Sequence, residues 1–325
     1  MKKLLSTIAK FRDKVIVVAA DLVADEFVFG EIARVSREAP VLILKHRESR
    51  YVPGGGANAI CNLATLGAIP MPVGVVGDDE AGRALLKHFE DRDIPTGGIL
   101  VDPDFITTTK TRILAGTIHG GRQQVLRIDR EPSQPSALWL SKRFAEIAIP
   151  LAREASAVLI SDYGYGAASP ALAAKLGKTG VPVTVDSRYG ISRYRGVTAA
   201  TPNEPELEDV FKTTIGNDLK RLERSGRALL GRMKMKALLV TRGRDGMALF
   251  ETGRPTLHIP IHGGSENTDV TGAGDTVIAT FTLALAAGAD FATAAHLANY
   301  AGGIVVMKPA TATVSADELV QAVSS

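Results

Sequence analysis

Short apolar runs typical of β-strands alternate with helical segments along most of the chain, and this alternation limits the fold more than any other feature. The runs are "KVIVVA" (14–19), "MPVGVV" (71–76), "AVLIS" (157–161), "VPVTVD" (181–186) and "ALLVT" (237–241). Their nearly continuous apolar character is typical of parallel strands that are buried on both faces. The pattern therefore predicts an α/β fold with a doubly wound, mostly parallel sheet and helices on both faces.

Two stretches break this alternation. Residues 27–52 and 107–131 each have the pattern of two strands around a turn, with charged residues alternating with apolar ones. We expect them to form a small antiparallel β lid on a single domain that covers residues 1–325. Because exposed strands can pair with another chain, we also expect a homodimer formed through the lid.

Composition and charge narrow the choice of partners. With 38 Lys and Arg against 35 Asp and Glu and no basic run, the chain is not expected to bind nucleic acid. A single cysteine, Cys61, excludes an internal disulfide framework and fits a cytoplasmic protein.

Charges from Lys10 onward interrupt the apolar N-terminus, which is read as a short amphipathic helix rather than a signal peptide. The longest apolar run, 276–289, is too short to cross a bilayer, so no membrane segment is expected.

The stretch "DVTGAGDT" (269–276) comes directly before a helical apolar run. The free backbone N–H groups at the start of a helix, together with its positive dipole end, favour an anion site beyond Gly274. The alternative is an ordinary helix entrance capped by Asp or Thr. The chain has no P-loop motif and no complete dinucleotide fingerprint, which disfavours P-loop enzymes and Rossmann dehydrogenases.

Further polar positions follow the predicted strands, where ligands of open α/β sheets bind. They are Asp21, Asp25, "GGGAN" (54–58), Asp162, Asp186, "TPNEPE" (201–206) and "TRGRDG" (241–246). Each of them alone is compatible with an ordinary turn or helix cap. Taken together, they favour a binding site along this edge of the sheet.

Two of the glycine-rich stretches resemble the signatures of the ribokinase-like, phosphofructokinase-B type carbohydrate kinases. "GGGANAICNLATLGA" (54–68) is similar to the N-terminal signature, and "DVTGAGDTV" (269–277) is similar to the C-terminal one. "TPNEPE" fits the N-x-x-E magnesium motif of the family, and the resemblance extends over residues 13–320. It implies a ribokinase-like fold and a kinase that uses ATP and Mg²⁺. A monovalent cation such as K⁺ is common in the family, but we assign no ligands to it.

By this resemblance Asp275 is the catalytic base, and Gly272, Ala273 and Gly274 offer backbone N–H groups to the γ-phosphate. Phosphoryl transfer needs positioning and charge neutralisation, which the N-terminus of a helix supplies. The helix dipole is expected to keep Asp275 ionised at neutral pH.

The resemblance also implies the residues that bind metal, nucleotide and sugar. Asn203 and Glu206 would hold Mg²⁺, with a helix cap as the alternative for Glu206. The implied nucleotide-binding residues are Asn203, Thr241, Arg242, Gly243, Gly246 and Asn299. A solvated turn is the alternative for Arg242, and a helix-surface amide is the alternative for Asn299. The implied sugar-binding residues are Asp21, Asp25, Gly55, Gly56 and Asn58.

Segments outside the general signatures resemble the heptose 7-phosphate kinases of this family, which act on the route to ADP-heptose and lipopolysaccharide. These segments are 25–41, 108–114, 123–129, 159–166, 193–203 and 311–315. They imply phosphorylation of the anomeric hydroxyl of heptose 7-phosphate. Arg34 and Arg112 are the candidates for the substrate phosphate, and exposed strand charges are the alternative.

The chain departs from the pattern of these kinases at three positions. Ala20 stands where Gly is usual, Tyr165 where Lys is common, and Arg188 in "DSRYG" where "DPKG" is usual. Another sugar or sugar phosphate, such as ribose, fructose or fructose 6-phosphate, is therefore the second expectation. A catalytically inactive sugar-binding protein is the alternative from a different class. Because the chain ends near the kinase boundary, we also expect a kinase without a fused nucleotidyltransferase domain.

Overall fold

The computed structural model describes residues 1–116, 123–132, 138–263, 269–309 and 311–325. Its strands are β1 (Val15–Ala20), β2 (Leu22–Val35), β3 (Leu42–Gly55), β4 (Ile69–Gly77), β5 (Ile99–Asp102), β6 (Thr108–Gly116), β7 (Gln123–Arg130), β8 (Ala157–Asp162), β9 (Val183–Ser187), β10 (Ala199–Ala200), β11 (Ala237–Thr241), β12 (Met247–Glu251) and β13 (Leu257–Ile259). Its α-helices are α1 (Lys2–Ile8), α2 (Gly56–Thr65), α3 (Glu80–Glu90), α4 (Leu138–Glu154), α5 (Pro170–Leu176), α6 (Glu204–Phe211), α7 (Leu219–Met233), α8 (Ala273–Ala286), α9 (Phe291–Val305) and α10 (Ala316–Ser324).

The main sheet has nine strands in the order β13-β12-β11-β10-β9-β8-β1-β4-β5. All neighbouring strands from β11 to β5 run parallel, whereas β12 and β13 add antiparallel strands at one edge. The predicted, mostly parallel sheet is therefore confirmed.

Both faces of this sheet are covered, which explains the continuous apolar runs. Along β1, Ile16 and Val18 join one buried cluster, whereas Val17 and Ala19 join the other. The first cluster packs helices α1, α2, α3, α8, α9 and α10 against the sheet, and the second packs α4, α5, α6 and α7. Since successive side chains of a strand point to opposite faces, every position of β1 must be apolar.

The predicted lid is a separate four-stranded sheet in the order β3-β2-β6-β7. It consists of two antiparallel hairpins, β2–β3 and β6–β7, whose inner strands β2 and β6 pair in parallel. Strand β2 starts at Leu22, before the predicted boundary at residue 27. Within the predicted segment 107–131, residues 117–122 lie outside the described part of the chain.

The lid is joined to the main sheet without a linker. β1 ends at Ala20 and β2 begins at Leu22, so Asp21 alone separates them. The N–H of Asp21 donates to the carbonyl oxygen of Ser161 in the main sheet, whereas Leu22 already pairs with Gly55 in the lid. At its other end β3 passes directly into α2 at Gly56.

The N-terminal segment forms the predicted amphipathic helix. Ile8 and Phe11 are buried, and Leu4 and Leu5 pack against the same core at its edge. Across the described parts of the chain, none of the helices combines the length and the hydrophobicity that crossing a bilayer requires.

Candidate active site

The "TGAGD" stretch forms the start of α8. Gly272 precedes the helix in a left-handed conformation with a φ of 76°, and no side chain caps the helix. The N–H of Ala273 donates to the carbonyl oxygen of Val270, so this amide is occupied, contrary to expectation. Those of Gly272 and Gly274 have no acceptor among the described residues. The helix therefore presents an open N-terminus, and the simpler expectation of an Asp or Thr cap is wrong.

Asp275, in the first turn of α8, is held by two side chains. It is only 4% exposed, and it accepts a hydrogen bond of 3.1 Å from Asn58 Nδ2 and one of 2.9 Å from the Tyr163 hydroxyl. Asn58 Nδ2 also lies 3.3 Å from the carbonyl oxygen of Gly272. The carboxylate is thus fixed from α2 on one side and from the segment after β8 on the other. The amide of Asn58, predicted to bind sugar, holds the carboxylate of Asp275.

The environment of Asp275 makes it a stronger base than the sequence indicates. Burial raises its pKa to about 7, and the negative charge of Asp25 adds to this effect. The hydrogen bonds from Asn58 and Tyr163 and the positive charge of Lys110 act in the opposite direction. A pKa near 7 leaves this group only partly ionised at neutral pH, because desolvation opposes the effect of the helix dipole. A carboxylate with a pKa near neutrality is well matched to general-base catalysis.

Asp21 shapes the loop that carries Tyr163. Its two carboxylate oxygens accept hydrogen bonds of 2.8–2.9 Å from the backbone N–H groups of Tyr163, Tyr165 and Ala167. Burial raises the pKa of Asp21 to about 6 despite these bonds. Asp21 was predicted as a sugar ligand, but the structure shows its carboxylate engaged in positioning this loop.

Asp25 lies at the root of the lid, and its charge acts on Asp275. The region around these two carboxylates is called the cleft below. It is 3% exposed and forms an ion pair of 2.5 Å with Arg112 on β6. The structure thus brings together Asp25, predicted to bind sugar, and Arg112, predicted to bind the substrate phosphate. Arg34 is not, because it is exposed and lies nine residues farther along β2, roughly 30 Å away at the rise of a strand. Within one chain Arg34 cannot reach this cleft.

The three glycines at the end of β3 and the start of α2 allow neighbouring side chains to approach the backbone closely. A Cβ at Gly54 would lie 2.6 Å from Asp25 Oδ2, and one at Gly55 would lie 3.0 Å from the ring of Tyr163. At Gly56 it would lie 2.5 Å from the Cβ of Ala20, the residue that departs from the family pattern. Gly55 and Gly56 were predicted as sugar-binding residues, and their place beside these groups puts them at the cleft.

Asn203 and Glu206 start α6 and bind each other. Asn203 Oδ1 accepts from the N–H of Glu206 at 2.8 Å, and Glu206 Oε2 accepts from the N–H of Asn203 at 3.0 Å, which is a capping box. Burial raises the pKa of Glu206 to about 7, and it raises that of Asp186, at the end of β9, with further contributions from the charges of Glu206 and Asp275. Two carboxylates that disfavour each other's ionisation form a donor set that suits a divalent cation.

The described residues contain no group of three or more His, Cys, Asp or Glu side chains that could hold a metal ion. A cation beside Asp186 and Glu206 would therefore keep much of its water, as Mg²⁺ does.

The "TRGRDG" loop holds Arg242 against the start of α6. Arg242 is 7% exposed in its side chain and pairs with Glu204 at 2.6 Å. Thr241 forms a bridge with Asn203 beside the same helix start. Gly243 and Gly246 shape the turn between β11 and β12. The alternative of a solvated turn is therefore wrong for Arg242, because its guanidinium forms a buried ion pair, and its binding to phosphate stays a prediction.

Asn299 is tied to the segment after β13. Its Nδ2 donates to the carbonyl oxygen of Pro260 at 2.9 Å, and the residue is 6% exposed. It is therefore not a surface amide, and one of its two N–H donors is already used. Residues 264–268 of the predicted polar loop before α8 lie outside the described residues.

Two residues of the cleft, Tyr163 and Lys110, were not predicted, whereas Asp186 was named among the polar positions at strand ends. Tyr163 follows the buried strand β8, which the strand-end pattern does detect, but only the folded chain shows that it meets Asp275. Lys110 has no such signal, because alternating charges on an exposed strand are common. Its ammonium group stands 5.2 Å from the centre of the Tyr163 ring.

Residues 22–318 match the model of the pfkB family carbohydrate kinases. The chain is 39% identical over 313 residues to the bifunctional protein HldE of Desulfatibacillum aliphaticivorans, which covers 94% of this chain and 62% of that protein. It is 40% identical over 313 residues to the same-named protein of Chromohalobacter salexigens, with the same coverage. The chain thus spans less than two thirds of the length of these curated relatives.

Solved structures share the fold at lower identity. Ribokinase of Arabidopsis thaliana, complexed with ribose and ATP, has a TM-score of 0.75 at 18% identity, over 97% of this chain and 99% of that one. Phosphofructokinase-2 of Escherichia coli, in complex with potassium, has a TM-score of 0.75 at 16% identity, over 96% and 98%. These likenesses establish a ribokinase-like fold. Because the family match extends over nearly the whole chain, this protein belongs to the pfkB family of carbohydrate kinases.

Proposed function

We propose that this kinase transfers the γ-phosphate of ATP to the anomeric hydroxyl of heptose 7-phosphate. The likeness to HldE proteins and the lid segments shared with heptose 7-phosphate kinases support this substrate. The observation that carries the proposal is the placement of Asp275. This buried carboxylate lies at an uncapped helix start, in one cleft with Asp25 and the lid cation Arg112.

In this mechanism Asp275 accepts the proton of the sugar hydroxyl. The oxygen then forms a bond to the γ-phosphorus as the bond to ADP breaks, and ADP departs as the leaving group. The free N–H groups of Gly272 and Gly274 face the charge that develops on the transferred group. Asn58 and Tyr163 hold the base in place, and the lid excludes water that would compete for the phosphoryl group.

Asn203 and Glu206, with Asp186 beside them, would hold Mg²⁺. When bound, the ion neutralises charge on the phosphates. The positive charge of Arg188 opposes the rise in the pKa of both Glu206 and Asp186, and Arg188 lines a cavity of about 230 Å³ together with Glu206. We assign Arg188 to phosphate binding through its planar fork of donors. K⁺ is included as a candidate activator on the family resemblance alone.

The homodimer is proposed to form through the lid. Seven large apolar side chains of the lid strands and of the turn between them are at least 37% exposed: Ile32, Val35, Val41, Leu42, Val125, Leu126 and Ile128. Exposed apolar strands of this kind favour pairing with a second copy. Arg34 lies among them, so only a second copy could bring it to a substrate.

A substrate competition assay tests the proposal. We expect kcat/KM to be highest for heptose 7-phosphate among heptose 7-phosphate, fructose 6-phosphate, ribose and fructose. A higher value for fructose 6-phosphate would keep the sugar-phosphate class and replace the substrate. A higher value for an unphosphorylated sugar would refute the assignment, and no sugar-dependent ATP consumption would favour a binding protein without catalysis.

A further inference from the structure

The inner face of the lid carries a row of charged side chains. In the strand register Asp25 of β2 lies beside Lys110 of β6, which in turn lies beside Asp129 of β7. Two residues on, Arg112 lies beside Arg127. Because positions two apart share one face of a strand, Lys110, Arg112 and Arg127 face the same side as Asp25.

This face is turned towards the catalytic cleft. The Lys110 ammonium group lies 5.2 Å from the centre of the Tyr163 ring, whose hydroxyl binds Asp275 at 2.9 Å. One phenol ring therefore separates the lysine from the base. A monosaccharide ring has similar dimensions, so a sugar that presents a hydroxyl to Asp275 places its far end near Lys110.

Of the three cations, Lys110 alone lacks a carboxylate partner. Arg112 pairs with Asp25 at 2.5 Å, and Arg127 pairs with Asp129 at 2.6 Å. Among the described residues none accepts a hydrogen bond from the Lys110 ammonium group or lies within ion-pair distance of it. The group is half-buried, and burial lowers its pKa. A half-buried cation of this kind is stabilised by an anionic ligand.

We infer that Lys110 is the central ligand of a subsite on the inner lid face for a phosphate group carried by the sugar, flanked by Arg112 and Arg127. The inference rests on the proposed function in taking a sugar phosphate as the acceptor. It deepens that proposal, because it assigns recognition of the substrate phosphate to Lys110 and to two arginines near it in place of Arg34.

The γ-phosphate of ATP is a different anion from the phosphate on the sugar. The proposed donors for these two anions lie on different parts of the fold. The open helix start at Gly272 and Gly274 and the side chain of Arg188 belong to the main domain. Lys110 belongs to the lid and lies beside Asp25 in the register. Each of the two anions thus has its own set of donors, one on the lid and one on the main domain.

The test compares a sugar phosphate with the same sugar lacking its phosphate. Steady-state kinetics of the full chain with heptose 7-phosphate and with unphosphorylated heptose are measured for the parent protein and Lys110→Met. We expect Lys110→Met to raise KM for heptose 7-phosphate by roughly 10- to 100-fold, the effect of losing a charged hydrogen bond. The kinetic constants for unphosphorylated heptose should change by less than about twofold.

Lys45→Met is the matched control, because Lys45 is an exposed lysine on the outer lid strand β3. It should leave both sets of constants unchanged. Lys110→Arg should recover part of the affinity for the phosphorylated sugar. Calorimetric binding of heptose 7-phosphate without ATP gives a second readout and should weaken in Lys110→Met alone.

Three results would overturn the inference. An equal loss for both sugars would place Lys110 at the transferred phosphoryl group or at the base, and unchanged constants would deny it a role. In both cases the parent protein still prefers the phosphorylated sugar, so the proposed function stands. A parent protein that prefers the unphosphorylated sugar would refute the proposed function and the subsite together.

Discussion

Replacing Tyr163 with Phe tests whether the hydroxyl of this residue tunes the catalytic base. The hydroxyl donates to Asp275 at 2.9 Å, and burial together with the nearby charge of Asp275 raises the pKa of Tyr163, so it stays a donor. Phe keeps the ring that faces Lys110 and removes only the hydroxyl. The variant therefore isolates one hydrogen bond.

The expected magnitude follows from the strength of that bond. A hydrogen bond to a charged acceptor contributes about 1.5–3 kcal/mol, and one pH unit corresponds to about 1.4 kcal/mol. Because the bond stabilises the carboxylate, its loss raises the pKa of Asp275, which is about 7 in the parent protein. We expect the acid limb of the kcat/KM profile to move up by about 1–2 pH units. Activity should therefore fall at pH 7 and recover by about pH 9.

Other groups near Asp275 remain in place in this variant. Asn58 still donates to the carboxylate, and the charges of Asp25, Lys110 and Asp186 are unchanged. Tyr165→Phe is the matched control, because that hydroxyl donates to Glu131, away from the base. An acid limb that stays at its parent position in Tyr163→Phe, whatever the loss in rate, would refute the reasoning.

Three further substitutions and one control test the remaining parts of the site. Asp275→Asn should lower kcat by roughly 10²–10⁴ in a sugar-phosphorylation assay. It should also raise the melting temperature by more at pH 8 than at pH 4, because stability from a carboxyl whose pKa rises from 3.8 to about 7 on folding is present below the lower value and is lost as the pH rises through the higher one. Glu206→Gln should raise the Mg²⁺ concentration needed for half-maximal activity, and an unchanged requirement would leave Glu206 as a helix cap. Gly272→Ala should lower the free energy of unfolding by about 1–3 kcal/mol in denaturant titrations, because its φ is positive and its Cβ would lie 2.5 Å from Asn58 Nδ2. Gly274→Ala, whose Cβ meets nothing within 4 Å, should not, and equal losses would contradict this account.

The architecture could be predicted from the sequence because a strand that is buried on both faces has a continuous apolar sequence. Val17 and Val18 face opposite cores, so β1 has to be apolar throughout. The lid is equally visible, since its charges alternate with apolar residues. The parallel pairing of β2 with β6 has no such mark, because it depends on where two distant hairpins meet.

The sequence predicted which positions belong to the site. It could not predict the hydrogen bonds and ion pairs that these residues form. Sequence places Asp21 and Arg242 next to strands, yet it does not show that loop amides occupy the carboxylate or that Glu204 pairs with the guanidinium. The pKa of Asp275 depends on how deeply α8 is buried, which is a property of the whole fold. Lys110 acquires its character only from the register that brings it over Tyr163.

The single-residue junction at Asp21 connects the lid directly to the loop whose tyrosine contacts Asp275. Its backbone belongs to the main sheet on one side and to the lid on the other, while its carboxylate holds the loop that carries Tyr163. The hydrogen bond from the Tyr163 hydroxyl to Asp275 therefore depends on the same residue that joins the lid to the main sheet. A substitution at Asp21 is expected to change both the attachment of the lid and the position of that hydroxyl.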